Sequence, residues 1–170
     1  APLAMKKWFN SNYHYLVPEL DANQPIVLNS ERYLDLVREA QAINSDTKPV
    51  LVGPLTFLYL SSGIDAPARL AKAEALAGAY QLLLNELKAL GVTWVQIDEP
   101  ILTLDLPADW LQAFEPTYHR LKVPGIKLLL TTYFGDLNGN VAMAANLPVD
   151  GLHIDATATD DLIAVADRLP

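Results

Sequence analysis

Two adjacent carboxylates are the most chemically suggestive feature of the sequence. Asp98 and Glu99 end a short apolar run and are followed at once by Pro100, which stops a strand from continuing. Such a pair can act as general acid and base when its surroundings move the two pKa values apart. The same pair can instead be structural, with Asp98 accepting a hydrogen bond from a neighbouring strand or loop. Spacing alone leaves both interpretations open.

A histidine and two lysines near the start of the chain are the next candidates. His14 lies between two tyrosines and can move protons or bind a metal, although a packed, hydrogen-bonded histidine is the commoner outcome. Lys6 and Lys7 stand beside Trp8 in an otherwise acidic sequence. One or two local cations can hold a small anionic ligand, because short-range contacts depend on local charge. The histidines show no HxxxH spacing, so a zinc site built from this chain alone is poorly supported.

The elements that must position these residues are short apolar runs alternating with helical patterns. We predict five strands, beginning near residues 13, 49, 92, 126 and 151, with helices between them. Such alternation is typical of βα units and a parallel sheet. Asn29 and Ser30 are the predicted caps of the first helix, and Asp65 is the predicted cap of a long helix that ends at Gly91. Pro116 predicts a kink or break in the helix after Pro107, and two further helices are predicted over residues 141–147 and 160–169.

Five parallel strands fit either a doubly wound open sheet or part of a (β/α)₈ barrel. A nucleotide-binding open sheet normally has a glycine-rich phosphate turn, and neither GxGxxG nor GxxxxGK[ST] occurs. A closed barrel typically takes about 250 residues, whereas this chain has 170. We therefore predict an α/β fold in which residues 1–170 form a single incomplete domain, a partial TIM (β/α)₈ barrel of about five βα units. Open sheet edges are expected at 13–20 and 151–155, and they favour self-association or pairing with strands from elsewhere.

Composition excludes several classes of protein. There are 12 Lys plus Arg against 20 Asp plus Glu, and the net charge of −8 opposes binding to nucleic acid. The absence of cysteine excludes disulfides and thiolate metal ligands and gives a mild preference for the cytoplasm. No apolar run approaches the roughly 18 residues of a membrane span, and the start lacks a signal-peptide pattern. We expect no membrane partner.

Five motifs, taken in order, resemble a single family. They are MKKWF at 5–9, NYHY at 12–15 followed by Pro18-Glu19, KPVLVGPLT at 48–56, WVQIDEP at 94–100 and LLLTTYF at 128–134. Together they resemble the N-terminal barrel of cobalamin-independent methionine synthase, over essentially the whole chain. The resemblance implies that the chain holds strands three to seven of that barrel.

The resemblance also implies a function. The family transfers a methyl group from 5-methyltetrahydropteroyl-triglutamate to homocysteine, giving methionine. By resemblance, Lys7 matches the family lysine that contacts the glutamate tail of the folate, and a cation suits carboxylates. His14, Asp98 and Glu99 are the other candidate site-lining residues, and no residue of this segment is expected to be catalytic. Zinc is expected only in the C-terminal barrel of the same enzyme, which would be the partner of this chain.

A comparison with that sister barrel implies that this copy has lost its metal site. Zinc ligands there follow a strand as His-x-Cys, whereas the matching positions here are Leu129 and Thr131, with Asp155 at the next ligand position. A leucine cannot coordinate zinc, so the Asp98-Glu99 pair is expected to have kept a structural role. Two alternatives stay open. One is a structural barrel that only supports its catalytic partner. The other is an enzyme like the uroporphyrinogen decarboxylase barrels, which ranks last because every arginine falls on a predicted helix: Arg32, Arg38, Arg69, Arg120 and Arg168.

Overall fold

The computed structural model describes residues 3–157 and 161–168 and begins with a small antiparallel hairpin. Strand β1 (Met5–Lys7) pairs with β2 (His14–Leu16), and Lys7 lies opposite His14. The predicted parallel strand over 13–20 is therefore wrong. The polar turn at 10–12 folds β2 back onto β1, and Pro18, which has no N–H, cannot extend the ladder. Beyond Pro18 the chain makes one isolated parallel bridge, between Glu19 and Ser62.

The other four predicted strands form one parallel sheet. They are β3 (Val50–Val52), β4 (Trp94–Asp98), β5 (Lys127–Thr131) and β6 (Gly151–His153), and they lie side by side in that order. The α/β class and the βα alternation are confirmed. The edges of the sheet are β3 and β6, so the edge expected at 13–20 lies at β3 instead.

Seven helices connect and follow the strands in the described part of the chain. They are α1 (Glu31–Ile43), α2 (Pro54–Leu60), α3 (Ala66–Leu70), α4 (Ala73–Ala89), α5 (Ala108–Arg120), α6 (Val141–Asn146) and α7 (Asp161–Ala166). None of them is long and apolar enough to cross a membrane. The predicted last helix agrees with α7, although its predicted ends, Asp160 and Leu169, lie outside the described residues.

Helix ends follow most of the capping signals, although the predicted cap Ser30 makes no side-chain hydrogen bond at the start of α1. Two further corrections concern the continuity of the helices. Asp65 caps α3 by accepting a 2.9 Å hydrogen bond from the Ala68 amide, and Gly91 has the positive φ of 82° that suits a residue after a helix. The single long helix predicted after Asp65 is wrong, because the chain breaks into α3 and α4 near Lys72. There the Lys72 ammonium donates to backbone carbonyls of the segment 22–24, a tertiary contact that periodicity does not encode.

The second correction concerns Pro116, which lies inside an uninterrupted α5. Proline there removes one helical hydrogen bond. Burial of the helix offsets that loss, because Trp110, Phe114 and Tyr118 are each at most 2% exposed.

The sheet has two unlike faces. Val95, Ile97, Leu128 and Leu130 are buried in the same apolar core as the helices. Alternate residues point to the other face, where the edge strand leaves Val50 48% and Val52 40% exposed. A cross-strand row on that second face runs through Val52, Asp98, Thr131 and His153. Helical packing is therefore concentrated on one side of the sheet.

Candidate functional site

Glu99 is fully buried just beyond the C-terminal end of β4. Its Oε1 accepts hydrogen bonds from the Leu55 amide at 3.2 Å and from the Tyr118 hydroxyl at 3.0 Å. Its Oε2 accepts from the Thr56 amide at 2.7 Å. Both amides belong to the first turn of α2, where backbone N–H groups lack helical partners. The carboxylate thus links the end of β4 to α2 and α5.

Gly53 makes this link possible. A Cβ at position 53 would lie 2.0 Å from the Cδ and 2.2 Å from the Oε1 of Glu99. Its φ of −67° is open to any residue, so the requirement for glycine is one of space and not of backbone freedom. The GPLT and DEP motifs of the sequence are therefore the two halves of one packed structure.

Burial controls the ionisation of this group. Desolvation raises the pKa of Glu99 to about 7, and hydrogen bonds from Thr56, Tyr118 and Leu55 oppose that rise. Desolvation, followed by the charge of Glu99, also holds the pKa of Tyr118 well above its ordinary value. Since the Glu99 side chain has no exposed surface, no substrate reaches it in this conformation. The geometry favours the structural interpretation of Glu99.

Asp98 points away from Glu99, as neighbouring strand residues do. It is half-buried, its Oδ1 accepts from Gln96 Nε2 at 2.9 Å and its Oδ2 accepts from the Tyr133 hydroxyl at 3.1 Å. Desolvation and then the charge of Asp98 raise the pKa of Tyr133. The two carboxylates share no partner among these bonds. They therefore do not form an acid/base pair at one site.

Lys7 and His14 are brought together by the hairpin. The Trp8 amide donates to the Tyr13 carbonyl at 2.8 Å, so the next opposed pair, Lys7 and His14, is of the type without backbone hydrogen bonds. Side chains approach most closely at such positions. Both side chains are exposed. Within the described ranges Lys7 makes no salt bridge, so its ammonium is available to an anion.

An aromatic cluster joins the hairpin to the end of β5, a contact that the sequence did not predict. Ring centroids lie 5.6 Å apart for Trp8 and Tyr15, 5.2 Å for Trp8 and Phe9, 5.9 Å for Phe9 and Phe134, and 4.7 Å for Phe134 and Tyr133. Its sequence signal is the aromatic pair that directly follows the polar end of β5. Through Tyr133 the cluster reaches Asp98, so the structure connects Asp98 with the hairpin and keeps Glu99 apart from it.

The three positions that the resemblance matches to zinc ligands hold Leu129, Thr131 and Asp155. Leu129 is aliphatic, and Thr131 is buried with a hydroxyl that has no hydrogen-bond partner among the described residues. Asp155 has its pKa lowered by hydrogen bonds from Thr157. Residues 3–157 and 161–168 contain no group of three His, Cys, Asp or Glu side chains arranged to hold a metal.

Comparison with known proteins gives the family. The chain belongs to the family described as the cobalamin-independent synthase, N-terminal domain, whose model matches residues 1–169. This match confirms the resemblance carried by the five sequence motifs. A solved structure of a methyltransferase from Methanosarcina mazei is similar at 15% identity and a TM-score of 0.48. The match covers 70% of this chain and 39% of that one, so the chain spans about two fifths of that methyltransferase.

Proposed function

We propose that this chain is part of a methyltransferase that moves a methyl group from 5-methyltetrahydropteroyl-triglutamate to homocysteine to form methionine. The segment contributes to binding of the folate polyglutamate and to scaffolding, and zinc chemistry belongs to the C-terminal catalytic barrel, its partner in the same enzyme. The observation that carries the proposal is the match of the family model over residues 1–169.

We also propose that residues 1–170 are a single incomplete domain, a partial (β/α)₈ barrel to which the described residues contribute the four parallel strands β3 to β6. The two unlike faces of the sheet support it. In a doubly wound sheet helices pack on both faces, whereas here the row that contains Val52 and Asp98 lies on the less covered face. In a barrel that face would be the inner wall. The hairpin does not join the sheet, which leaves the β3 edge for the strand that would come before it.

Lys7 is the proposed contact for the glutamate tail. Its ammonium is exposed, and its side chain shares one face of the hairpin with His14, the second proposed site-lining residue. Charge-assisted hydrogen bonds from such cations to carboxylates are stronger than neutral ones. Asp98 is connected to the same region through Tyr133, whereas the burial of Glu99 supports a scaffolding role for that residue.

The test compares folates that differ only in the tail. Isothermal titration calorimetry measures the affinity of the chain for the mono- and triglutamate forms of 5-methyltetrahydrofolate, with Lys7→Ala and Lys6→Ala as matched charge deletions. Lys6 lies opposite Tyr15 and alternates to the other side of β1. We expect Lys7→Ala to lose about tenfold of the preference for triglutamate, as for one charged hydrogen bond, and Lys6→Ala to keep it. Equal affinity of the unmodified chain for both forms would contradict the tail assignment.

A structural segment without ligand affinity is the second candidate. The internal use of Glu99 favours it, since the group with the most strongly raised carboxyl pKa serves packing. In that case the folded chain binds neither folate and only stabilises the catalytic barrel, which thermal unfolding of the two together would show.

We propose a cytoplasmic location, with neither nucleic acid nor a membrane as partner. The net charge of −8 supports the first exclusion. Self-association through the sheet edges is also proposed. One of these edges, β3, is partly covered by tyrosine hydroxyls.

A further inference from the structure

We propose that Asp98 and Tyr133 are positioning residues for Lys7, which hold the hairpin of β1 and β2 against the C-terminal edge of the sheet. The inference rests on the proposed function, in which Lys7 binds the glutamate tail. Neither residue is proposed to touch the ligand. They act through Trp8, the neighbour of Lys7 in the chain.

The hairpin has little to hold it in place by itself. Its ladder is three residues long on each strand, and an isolated two-stranded hairpin is at best marginally stable in water. It is not part of the parallel sheet. The position of Lys7 relative to the sheet therefore depends on contacts beyond the ladder. On the β2 side these include the parallel bridge between Glu19 and Ser62 and a 3.4 Å hydrogen bond from the Tyr15 hydroxyl to the Leu60 carbonyl.

Aromatic rings supply the contacts on the β1 side, which carries Lys7. Trp8 packs edge-to-face on Tyr15 and Phe9, and Phe9 lies 5.9 Å from Phe134 between ring centroids. Phe134 in turn meets Tyr133 edge-to-face at 4.7 Å. Rings in contact at these separations attract one another beyond simple burial of area. A continuous path of rings thus leads from the residue beside Lys7 to the segment after β5.

Asp98 fixes the far end of this path. The Tyr133 hydroxyl donates to Asp98 Oδ2 at 3.1 Å, and Gln96 holds the other carboxylate oxygen at 2.9 Å. Asp98 and Gln96 both belong to β4, which is paired on both sides. The orientation of the Tyr133 ring is therefore set by one of the most constrained strands of the molecule.

Backbone strain where the hairpin meets the segment after β5 supports the same role. Phe9 has φ 52° and Phe134 has φ 74°, both in the left-handed region that bulky residues rarely adopt. Such strain persists only where the surroundings over-determine it, and it is concentrated at functional positions. Here the two strained residues pack against each other, one in the hairpin and one beside Tyr133.

The first test measures the ratio of triglutamate to monoglutamate affinity by calorimetry. In a chain that keeps Lys7, Tyr133→Phe and Asp98→Ala are each expected to lower this ratio three- to tenfold. Asp98→Asn keeps an oxygen for the Tyr133 hydroxyl and is expected to retain most of it. In the Lys7→Ala background none of these changes should lower the ratio further. Tyr59→Phe, whose ring packs on Trp110, is the matched control and should leave the ratio unchanged.

The second test needs no ligand. Hydrogen exchange at the Trp8 amide reports docking of the hairpin. That amide donates to the Tyr13 carbonyl within the hairpin, and an undocked hairpin is at best marginally stable and opens. We expect at least tenfold faster exchange in Tyr133→Phe and Asp98→Ala, and an unchanged exchange rate in Tyr59→Phe. Unchanged exchange overturns the positioning role whatever Lys7 does. If Lys7→Ala keeps the affinity ratio while Tyr133→Phe and Asp98→Ala exchange faster, the hairpin is docked as proposed but the tail assignment fails.

Discussion

Gly53 and Glu99 compete for the same volume, because a Cβ on residue 53 would lie 2.0 Å from the Glu99 Cδ. The buried carboxylate occupies the space that a side chain at position 53 would need. From there it accepts hydrogen bonds from two backbone amides in the first turn of α2. Several consequences can be measured on the folded chain.

Gly53→Ala is expected to be severely destabilising, by about 3 kcal/mol or more, because the new methyl group must expel Glu99 from its hydrogen bonds. Gly139→Ala is the matched control, since a Cβ there meets nothing within 4 Å. It should change stability by less than about 0.5 kcal/mol. Urea unfolding followed by circular dichroism measures both. Equal stability of the two variants would contradict the steric argument.

The stability of the fold should decrease as pH rises from about 4.5 to about 7. Burial raises the pKa of Glu99 from its ordinary 4.5 to about 7, so in this window the folded chain binds more protons than the unfolded chain. The protonated form is the better tolerated one in the fold. The loss is complete above the folded pKa and is on the order of 3 kcal/mol.

Urea unfolding at a series of pH values checks this, with Glu99→Gln as the reference. The variant lacks the titrating group, so the difference between the two free energies of unfolding should carry the slope. Glu99→Gln also places an NH₂ group opposite a backbone N–H that needs an acceptor. This should lower the free energy of unfolding by about 1–3 kcal/mol at pH 7. A stability difference that is flat between pH 4.5 and 7 would refute the assignment.

Two tyrosine hydroxyls cover the open edge of β3. Tyr33 donates to the Val50 carbonyl at 2.9 Å and Tyr80 donates to the Val52 carbonyl, and both carbonyls face away from β4. A free edge of this kind recruits another strand. The double variant Tyr33→Phe/Tyr80→Phe should therefore self-associate at lower concentration than the unmodified chain. Sedimentation velocity over a tenfold or wider concentration range measures it.

The control for that experiment is Tyr13→Phe, a change at a side chain that is 79% exposed and away from the β3 edge. Its association should match that of the unmodified chain. If the double variant associates no more readily than Tyr13→Phe, the hydroxyls do not protect the edge.

Asp65→Ala should cost about 1 kcal/mol through loss of the cap of α3. Ser30→Ala is the informative comparison, because Ser30 precedes α1 without a side-chain capping bond. It should cost less than about half as much. Thermal unfolding of the two variants gives the ranking, and a larger loss at Ser30 would contradict it.

The parallel sheet was predictable because each of its strands is an apolar run bounded by turn residues. Val92 to Ile97 became β4 and Ile126 to Thr131 became β5 to within two residues. The direction of β2 was not predictable, because one strand pattern serves parallel and antiparallel pairing alike. The break before α4 and the continuity of α5 through Pro116 depend on tertiary packing that no local propensity contains.

The site was predicted in part. Alternation along a strand would put Asp98 and Glu99 on opposite faces, which was not predicted although the pattern allows it. In the structure their hydrogen-bond partners are separate. Lys7 opposite His14 required the unforeseen hairpin. The fit of Glu99 over Gly53 required two segments 46 residues apart to meet, which no spacing rule gives.

The ring-mediated docking of the hairpin has a thermal consequence. Rings hold it through removal of apolar surface from water, and that driving force weakens on cooling. Charge screening by salt has little effect on such contacts. The segment that carries Lys7 should therefore loosen from the sheet in the cold, well before the parallel core does, and added sulfate, which strengthens apolar burial, should partly restore it.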